Sequence, residues 1–243
     1  MNTSIGKFAL AFLAALCVLF ASCTKNVKQN SFGNVEGRLI DYGVTTEKKI
    51  CLTFDDGPSL ISETILDVLK EKNLKAAFFV IGKNAEKHPA VLKRMFDEGH
   101  TVGIHTYTHE YKRIYSSPEA LKEDINRCFC AIKAVNCNYC PVYYRFPGGS
   151  FGLSEKLVSV PEEMGLIRVD WNASCRDSEI KPANEHELAE YARSTAKNKN
   201  NVILLMHDAA DKRFTADALP EIISYLYSDG FSFVPLEKVI KIS

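Results

Sequence analysis

From Lys48 onward the chain alternates short apolar runs with amphipathic stretches, and that rhythm constrains its fold more than any other feature. Ile50-Cys51-Leu52-Thr53-Phe54 is a β-prone run that stops at the turn-forming Asp55-Asp56-Gly57-Pro58. Residues 59–72 then place Ile61, Ile65, Leu66 and Leu69 at helical spacing, with Glu63, Asp67 and Glu71 on other faces. The run 76–81 (AAFFVI) is continuously apolar, as suits a strand covered on both faces. A helix carrying Val91, Leu92 and Met95 follows, then a short strand over 100–105. Ser117-Pro118-Glu119 supplies an N-cap and a first-turn proline for the next helix. Further strands are expected at 142–146, 166–171, 202–206 and 231–234. Roughly seven β-then-α units result, the pattern of an α/β domain with parallel strands wrapped by helices. With no internal repeat and no second long apolar run, one domain over 46–243 is the economical reading.

The N-terminal part reads differently. Lys7 precedes thirteen uncharged residues, 8–20 (FALAFLAALCVLF), fewer than the about 20 needed to span a bilayer and suited to a signal-peptide core. Phe20-Ala21-Ser22-Cys23 follows and resembles a bacterial lipoprotein signal. That resemblance implies a leader over 1–22, acylation of Cys23 and an extracytoplasmic, membrane-anchored protein. Residues 24–36 are polar and without apolar period, and 23–45 read as a tether.

The whole chain has 30 Lys+Arg against 30 Asp+Glu, so it lacks the electrostatic footprint of a nucleic-acid partner. Removing the leader removes only Lys7 among the charged residues, leaving 29 basic and 30 acidic side chains. Six of the eight cysteines lie beyond Cys23. In an exported protein, Cys128, Cys130, Cys137 and Cys140 are expected to form one or two disulfides closing a helix-to-strand loop, ahead of a four-thiolate zinc site. Cys51, inside the first strand, reads as a buried thiol, and Cys175 has no assignment.

In α/β folds the chemistry gathers where strands end. Asp55-Asp56 ends the first strand; Asp-Gly-Pro alone is turn chemistry, but adjacent carboxylates repel unless a cation sits nearby. His105 and His109 end the third, four residues apart, a spacing that lets two imidazoles meet on one face of a helical turn and bind a metal. Arg145-Phe146-Pro147-Gly148-Gly149 ends the fourth, where glycines allow close backbone approach and expose N–H groups to an oxyanion. His207 ends the run 202–206 as a candidate catalytic residue. By contrast, His88 and His186 read as surface residues, and His100 as a helix-end cap.

Each signal is modest alone, but their order along the chain is specific. Thr53-Phe54-Asp55-Asp56-Gly57-Pro58, His105-Thr106-Tyr107-Thr108-His109, Arg145-Phe146-Pro147-Gly148-Gly149 and Leu204-Leu205-Met206-His207-Asp208 resemble the ordered motifs of NodB-type polysaccharide deacetylases, over nearly all of 48–240. The resemblance implies a distorted (β/α)7 barrel with parallel strands. It also implies one divalent metal ion, Zn²⁺ ahead of Co²⁺, and removal of acetyl groups from a glycan. Carried over residue by residue, it implies that Asp56, His105 and His109 hold the metal and that Asp55 is the base, oriented by Arg145. His207 is then the acid, Gly148 supplies an oxyanion N–H in a position where relatives often carry Tyr, and Leu205 lines the pocket for the acetyl methyl. The relatives' W-x-x-D-x-x-D-W pattern is only partly kept in Trp171-Asn172-Ala173-Ser174-Cys175-Arg176-Asp177-Ser178, which assigns the tuning of His207 to Asp177 rather than Asp170.

The expected substrate is an acetylated glycan, with peptidoglycan N-acetylglucosamine ahead of chitooligosaccharides and O-acetylated xylan, and the expected form is a monomer. Two His and a carboxylate also suit an Fe(II) oxygenase, although the alternating β/α order argues against it. A glycan-binding lipoprotein is the non-enzymatic alternative. Tyr107, Tyr111, Tyr143, Tyr144, Phe151 and Trp171 are candidates for sugar stacking, with packing the expected role for most.

Overall fold

Strand residues two apart share a face, so alternate residues of the first strand line the same side, from the buried Cys51 to Asp55 at its end. The structure, a computed structural model, describes residues 47–240. The proposed leader over 1–22, Cys23 and the tether up to residue 45 lie outside the described residues.

The strands are β1 (Lys49–Asp55), β2 (Ala77–Val80), β3 (Thr101–Ile104), β4 (Tyr143–Tyr144), β5 (Ile167–Arg168), β6 (Ala173–Ser174), β7 (Asn201–His207) and β8 (Ser232–Phe233). They form one eight-stranded sheet in the order β5-β4-β3-β2-β1-β7-β6, with β8 added beside β1, and every pairing is parallel. The helices between them are α1 (Leu60–Glu71), α2 (Gly82–Lys87), α3 (Pro89–Asp97), α4 (Tyr111–Ile114), α5 (Pro118–Val135), α6 (Glu155–Glu163), α7 (Glu185–Ala196), α8 (Arg213–Ser228) and α9 (Leu236–Val239). The expected α/β barrel with parallel strands is therefore present, as a half-barrel rather than a closed one. β5 and β6, adjacent in sequence, form the two unpaired edges.

Two differences from the sequence reading have local causes. The strand expected over 166–171 pairs only at Ile167 and Arg168. Beyond them Arg145 Nε donates to the Val169 carbonyl at 3.0 Å, so a side chain takes an acceptor that a neighbouring strand would otherwise use. β6 was not anticipated, because its two residues pair only where β7 supplies Leu204 and Leu205 as partners.

The barrel interior is built from alternate residues. Cys51, Phe79, Tyr143 and Ile203 share one buried cluster, closed by Leu236, Val239 and Ile240 from α9 and its C-terminal end. Gly103 belongs to this layer because a Cβ there would lie 2.6 Å from the Phe79 ring. The next inward positions are Thr53 and Asp55 on β1, which pair in register with Leu205 and His207 on β7. The outward face packs on helices: Phe54 and Phe78 stack at 5.2 Å, and His100 meets Phe78 edge-on at 5.3 Å. α1 begins at Ser59, which accepts the Ile61 N–H at 3.0 Å, and buries Ile65, Leu66 and Leu69. α5 is capped by Ser117, as its sequence predicts.

The cysteine loop follows a different plan from the one expected. Cys128, Cys130 and Cys137 are free thiols, so no disulfide joins any two of the four and no four-thiolate site forms. Cys128 faces the core from α5, where its Sγ contacts the Val80 carbonyl at 3.3 Å, while Cys137 is exposed beyond the end of the helix. Cys51 and Cys175 are buried free thiols.

Candidate active site

The inward row of β1 ends at Asp55, and simple alternation would send Asp56 to the opposite face. Asp56 instead has φ 76°, a left-handed conformation that turns its carboxylate back over the barrel mouth. His105 follows β3, and His109 reaches the same point through a loop. The expected helical turn is absent: Thr106 (φ 67°) and His109 (φ 58°) are both left-handed. Asp124 holds that loop, accepting the Thr108 N–H at 3.1 Å and the Thr108 hydroxyl at 2.8 Å. This buried carboxylate was missed in the sequence, although it falls with Leu121, Ile125 and Cys128 on the buried face of α5, where an acid needs an explanation.

Asp56 Oδ1 lies 3.5 Å from His105 Nε2 and 3.2 Å from His109 Nε2. The hydrogen bonding shows which group this cluster suits. His105 Nδ1 is 2.8 Å from the Arg145 carbonyl, which can only accept, so Nδ1 carries the hydrogen and Nε2 presents a lone pair. Burial lowers the His105 pKa to about 3, keeping the ring neutral. Asp56 Oδ1 is itself buried without a hydrogen-bond partner. One carboxylate oxygen and two imidazole nitrogens, all within 4.8 Å of one another, thus fit a divalent cation.

Asp55 belongs to a different arrangement. Arg145, with 0% of its surface exposed, donates through one nitrogen to Asp55 Oδ1 at 2.8 Å and to Thr53 Oγ1 at 2.9 Å. The guanidinium also lies 4.1 Å from the Phe79 ring centroid. Burial pushes the Asp55 pKa up, against the charges of Arg145 and His207, which pull it down. Its Oδ2 is 3.8 Å from His105 Nε2, beside the cation site.

Across the cleft, His207 Nδ1 meets Asp177 Oδ1 at 2.8 Å, and Asp177 Oδ2 accepts the His207 backbone N–H at 2.8 Å. Thr215 Oγ1 donates to Asp177 Oδ2 at 2.8 Å, and Lys212 Nζ to its carbonyl at 3.0 Å. Neither Thr215 nor Lys212 was visible in the sequence, since each lies more than 30 residues from Asp177 without a local motif. Burial opposes the charged form of His207, but the Asp177 hydrogen bond and charge, with Asp55 and Asp56 behind them, raise its pKa to about 9. Asp177 is correspondingly held below the usual carboxylate range, because its bonds to His207 and Thr215 overcome its burial. Asp170 does other work: it accepts the Ser150 N–H at 3.0 Å and the Ser150 hydroxyl at 2.5 Å, securing the loop that contains Gly148.

Asp55, Asp56, His105, His109, Asp177 and His207 open into one cleft of ≈ 260 Å³, whose wall includes Gly148, Trp171 and Leu205. Tyr143 and Tyr144 are buried, and the Tyr107 ring is covered by Arg127 at 3.9 Å, so these three pack rather than face a ligand. Tyr111 and Phe151 are exposed, and Phe151 meets Trp171 edge-on at 5.9 Å. Outside the cleft, His186 is exposed and paired with Glu221, and His88 is half-buried. His100 accepts the Ala76 N–H at 3.2 Å inside the core, so it is not a helix cap.

A parallel half-barrel with a carboxylate–dihistidine cluster, a buried Asp–Arg pair and an opposing His–Asp pair at its strand ends defines a class: α/β proteins whose strand-end side chains could hold a divalent cation. Comparison with known proteins narrows the class. A model of the family described as polysaccharide deacetylase matches residues 42–168. The peptidoglycan-N-acetylglucosamine deacetylase PgdA of Listeria monocytogenes is 33% identical over 197 residues, covering 80% of this chain and 39% of the relative. A peptidoglycan-N-acetylglucosamine deacetylase of Bacillus cereus is 33% identical over 194 residues, covering 77% and 69%. The solved structure of a Streptococcus mutans CE4 esterase superposes with a TM-score of 0.73 at 31% identity, covering 78% of this chain and 86% of that one. The chain belongs to the polysaccharide deacetylase family, and it spans about two-fifths of the length of the PgdA relative.

Proposed function

We propose that this protein is a metal-dependent hydrolase that removes N-acetyl groups from a cell-wall glycan, with peptidoglycan N-acetylglucosamine as its first substrate. The observation that carries the reading is the meeting, in one cleft, of the Asp56–His105–His109 cluster with a buried carboxylate on one side and a carboxylate-paired histidine on the other. Asp56, His105 and His109 would hold the cation. When bound, it polarises the acetyl carbonyl and lowers the pKa of water toward about 7.

The chain's own groups do the rest. Asp55, fixed by Arg145, takes the proton of the attacking water as oxygen adds to the acetyl carbon. The carbonyl oxygen becomes an oxyanion and meets the Gly148 N–H, an interaction of a type that contributes about 3–4 kcal/mol per donor. His207 gives its proton to the amide nitrogen as the C–N bond breaks, so acetate and a free amine leave. Asp177 keeps His207 charged at neutral pH for that step. Leu205, 6% exposed in the cleft wall, is suited to the acetyl methyl.

Export and anchoring belong to the same proposal: a leader over 1–22, a lipidated Cys23 and a tether would hold the domain, as a monomer, beside an insoluble polymer. Among the described residues no helix is long and apolar enough to cross a membrane. The test is acetate release by the purified protein from muropeptides, chitooligosaccharides and acetylxylan in parallel. Release greatest from muropeptides, abolished by chelation and restored by Zn²⁺ or Co²⁺, is expected; greatest release from acetylxylan would reassign the substrate to an O-acetyl ester.

A further inference from the structure

Position 148 is glycine, and the space that a side chain there would take is already filled. Gly148 has φ 76°, and a Cβ built on it would lie 3.1 Å from the Tyr111 hydroxyl and 3.2 Å from the ring carbon Cε1. Tyr111 reaches this point from the start of α4, two residues after His109, and both Tyr111 and Gly148 line the cleft. Its ring meets His109 edge-on at 5.4 Å and Tyr115 edge-on at 5.7 Å, so two contacts fix its direction although the residue is 47% exposed.

The hydrogen-bond inventory around Tyr111 is incomplete in a specific way. The Tyr115 hydroxyl donates to the Pro147 carbonyl at 2.6 Å. In a trans peptide the carbonyl and the following N–H point in opposite directions, so this bond turns the Gly148 N–H away from Tyr115. The neighbouring Gly149 N–H is taken by the Phe146 carbonyl at 2.8 Å, whereas the Gly148 N–H and the Tyr111 hydroxyl find no acceptor among the described residues. Two unpaired donors, one from the backbone and one from a phenol, therefore lie within a few ångströms of each other beside the Asp56–His105–His109 cluster. Donors prepositioned at the edge of a cleft, without a protein acceptor, suit an oxygen that gains negative charge during reaction.

We propose that the Tyr111 hydroxyl is a second oxyanion donor, acting with the Gly148 N–H on the acetyl oxygen. This makes Tyr111 a catalytic residue and accords with the glycine at 148, where a Cβ would crowd the phenol and the left-handed backbone would be strained. The inference rests on the deacetylase reading for its substrate but on this chain's own geometry for the donor.

Tyr111→Phe keeps the ring and its packing and removes only the hydroxyl. Loss of one hydrogen bond to a charged oxygen predicts a fall in kcat of about 10- to 100-fold on a chitooligosaccharide, with KM within about twofold of wild type. Methylphosphonate, a tetrahedral oxyanion, should bind the Zn²⁺-loaded Tyr111→Phe protein about tenfold more weakly than wild type by calorimetry, with the same bound Zn²⁺. Unchanged kcat and unchanged methylphosphonate affinity in Tyr111→Phe, with KM raised only in Tyr111→Ala, would overturn the proposal and make the ring a sugar platform. If wild type releases no acetate from any glycan, the deacetylase reading fails, and the methylphosphonate comparison still decides the donor.

Discussion

The two sides of the cleft hold a carboxylate in opposite ways. On the Asp55 side the partner is Arg145, wholly buried, charged at every attainable pH and anchored by Thr53 and the Val169 carbonyl. On the Asp177 side the partner is His207, which can lose its charge, and the anchors are a hydroxyl and a backbone N–H. The first pair fixes one carboxylate in place with a constant charge beside it; the second couples a carboxylate to a group that can gain or lose a proton. In the proposed reaction a base needs the former and an acid the latter, and the chemical type of the partner, rather than the carboxylate, makes the difference.

The comparison can be broken at either side. Asp55→Asn is expected to lower kcat by about 10²- to 10⁴-fold while circular dichroism and bound Zn²⁺ stay unchanged; retained activity would remove Asp55 as the base. Arg145→Met should both inactivate and destabilise, by about 3–5 kcal/mol in urea unfolding, because Asp55 is left buried without its partner. A smaller loss would mean that water reaches Asp55. If His207 is the acid it must be protonated to act, so activity should fall at alkaline pH, where the Asp177 pairing no longer holds its proton. Asp177→Asn takes away the main force holding the His207 pKa up, and should move the alkaline limb of kcat/KM to lower pH. The same ionisation has a stability signature in the metal-free protein. Because the folded-state pKa is raised from 6.5, the stabilisation is complete below pH 6.5 and is lost as pH rises through about 9; thermal melts across that window measure it. Asp170→Asn should have the smallest effect, a severalfold drop in kcat through a loosened Ser150 loop and no shift of the pH profile. An alkaline shift in Asp170→Asn equal to that of Asp177→Asn would exchange their roles.

Much of the site was legible because it follows strand ends. Thr53 and Asp55, Leu205 and His207, and the terminal His105 and Arg145 are polar or pocket-lining groups where apolar runs stop. The alternation of apolar runs and amphipathic helices was likewise enough for a parallel α/β sheet. The legible part failed where contacts decide the conformation. His105 and His109 share a site through left-handed Thr106 and His109, not through a helical turn. The cysteine spacing suggested a bridged loop, yet Cys128 turns into the core beside the Val80 carbonyl and Cys137 faces solvent.

By itself, the sequence determined the alternation of strands and helices and most of the residues that reach the mouth of the barrel, since these depend on local periodicity and on residue type at each strand end, while the ordered motifs carried the resemblance to the family. Only the tertiary structure decided that the barrel stays open between β5 and β6, that Asp124 holds the His105–His109 loop, that Thr215 and Lys212 support Asp177, and that Tyr111 fills the space over Gly148. Each of these joins residues distant in the chain or depends on a backbone angle that no local pattern encodes. Such pairings become favourable only after packing has removed water and fixed both partners in place.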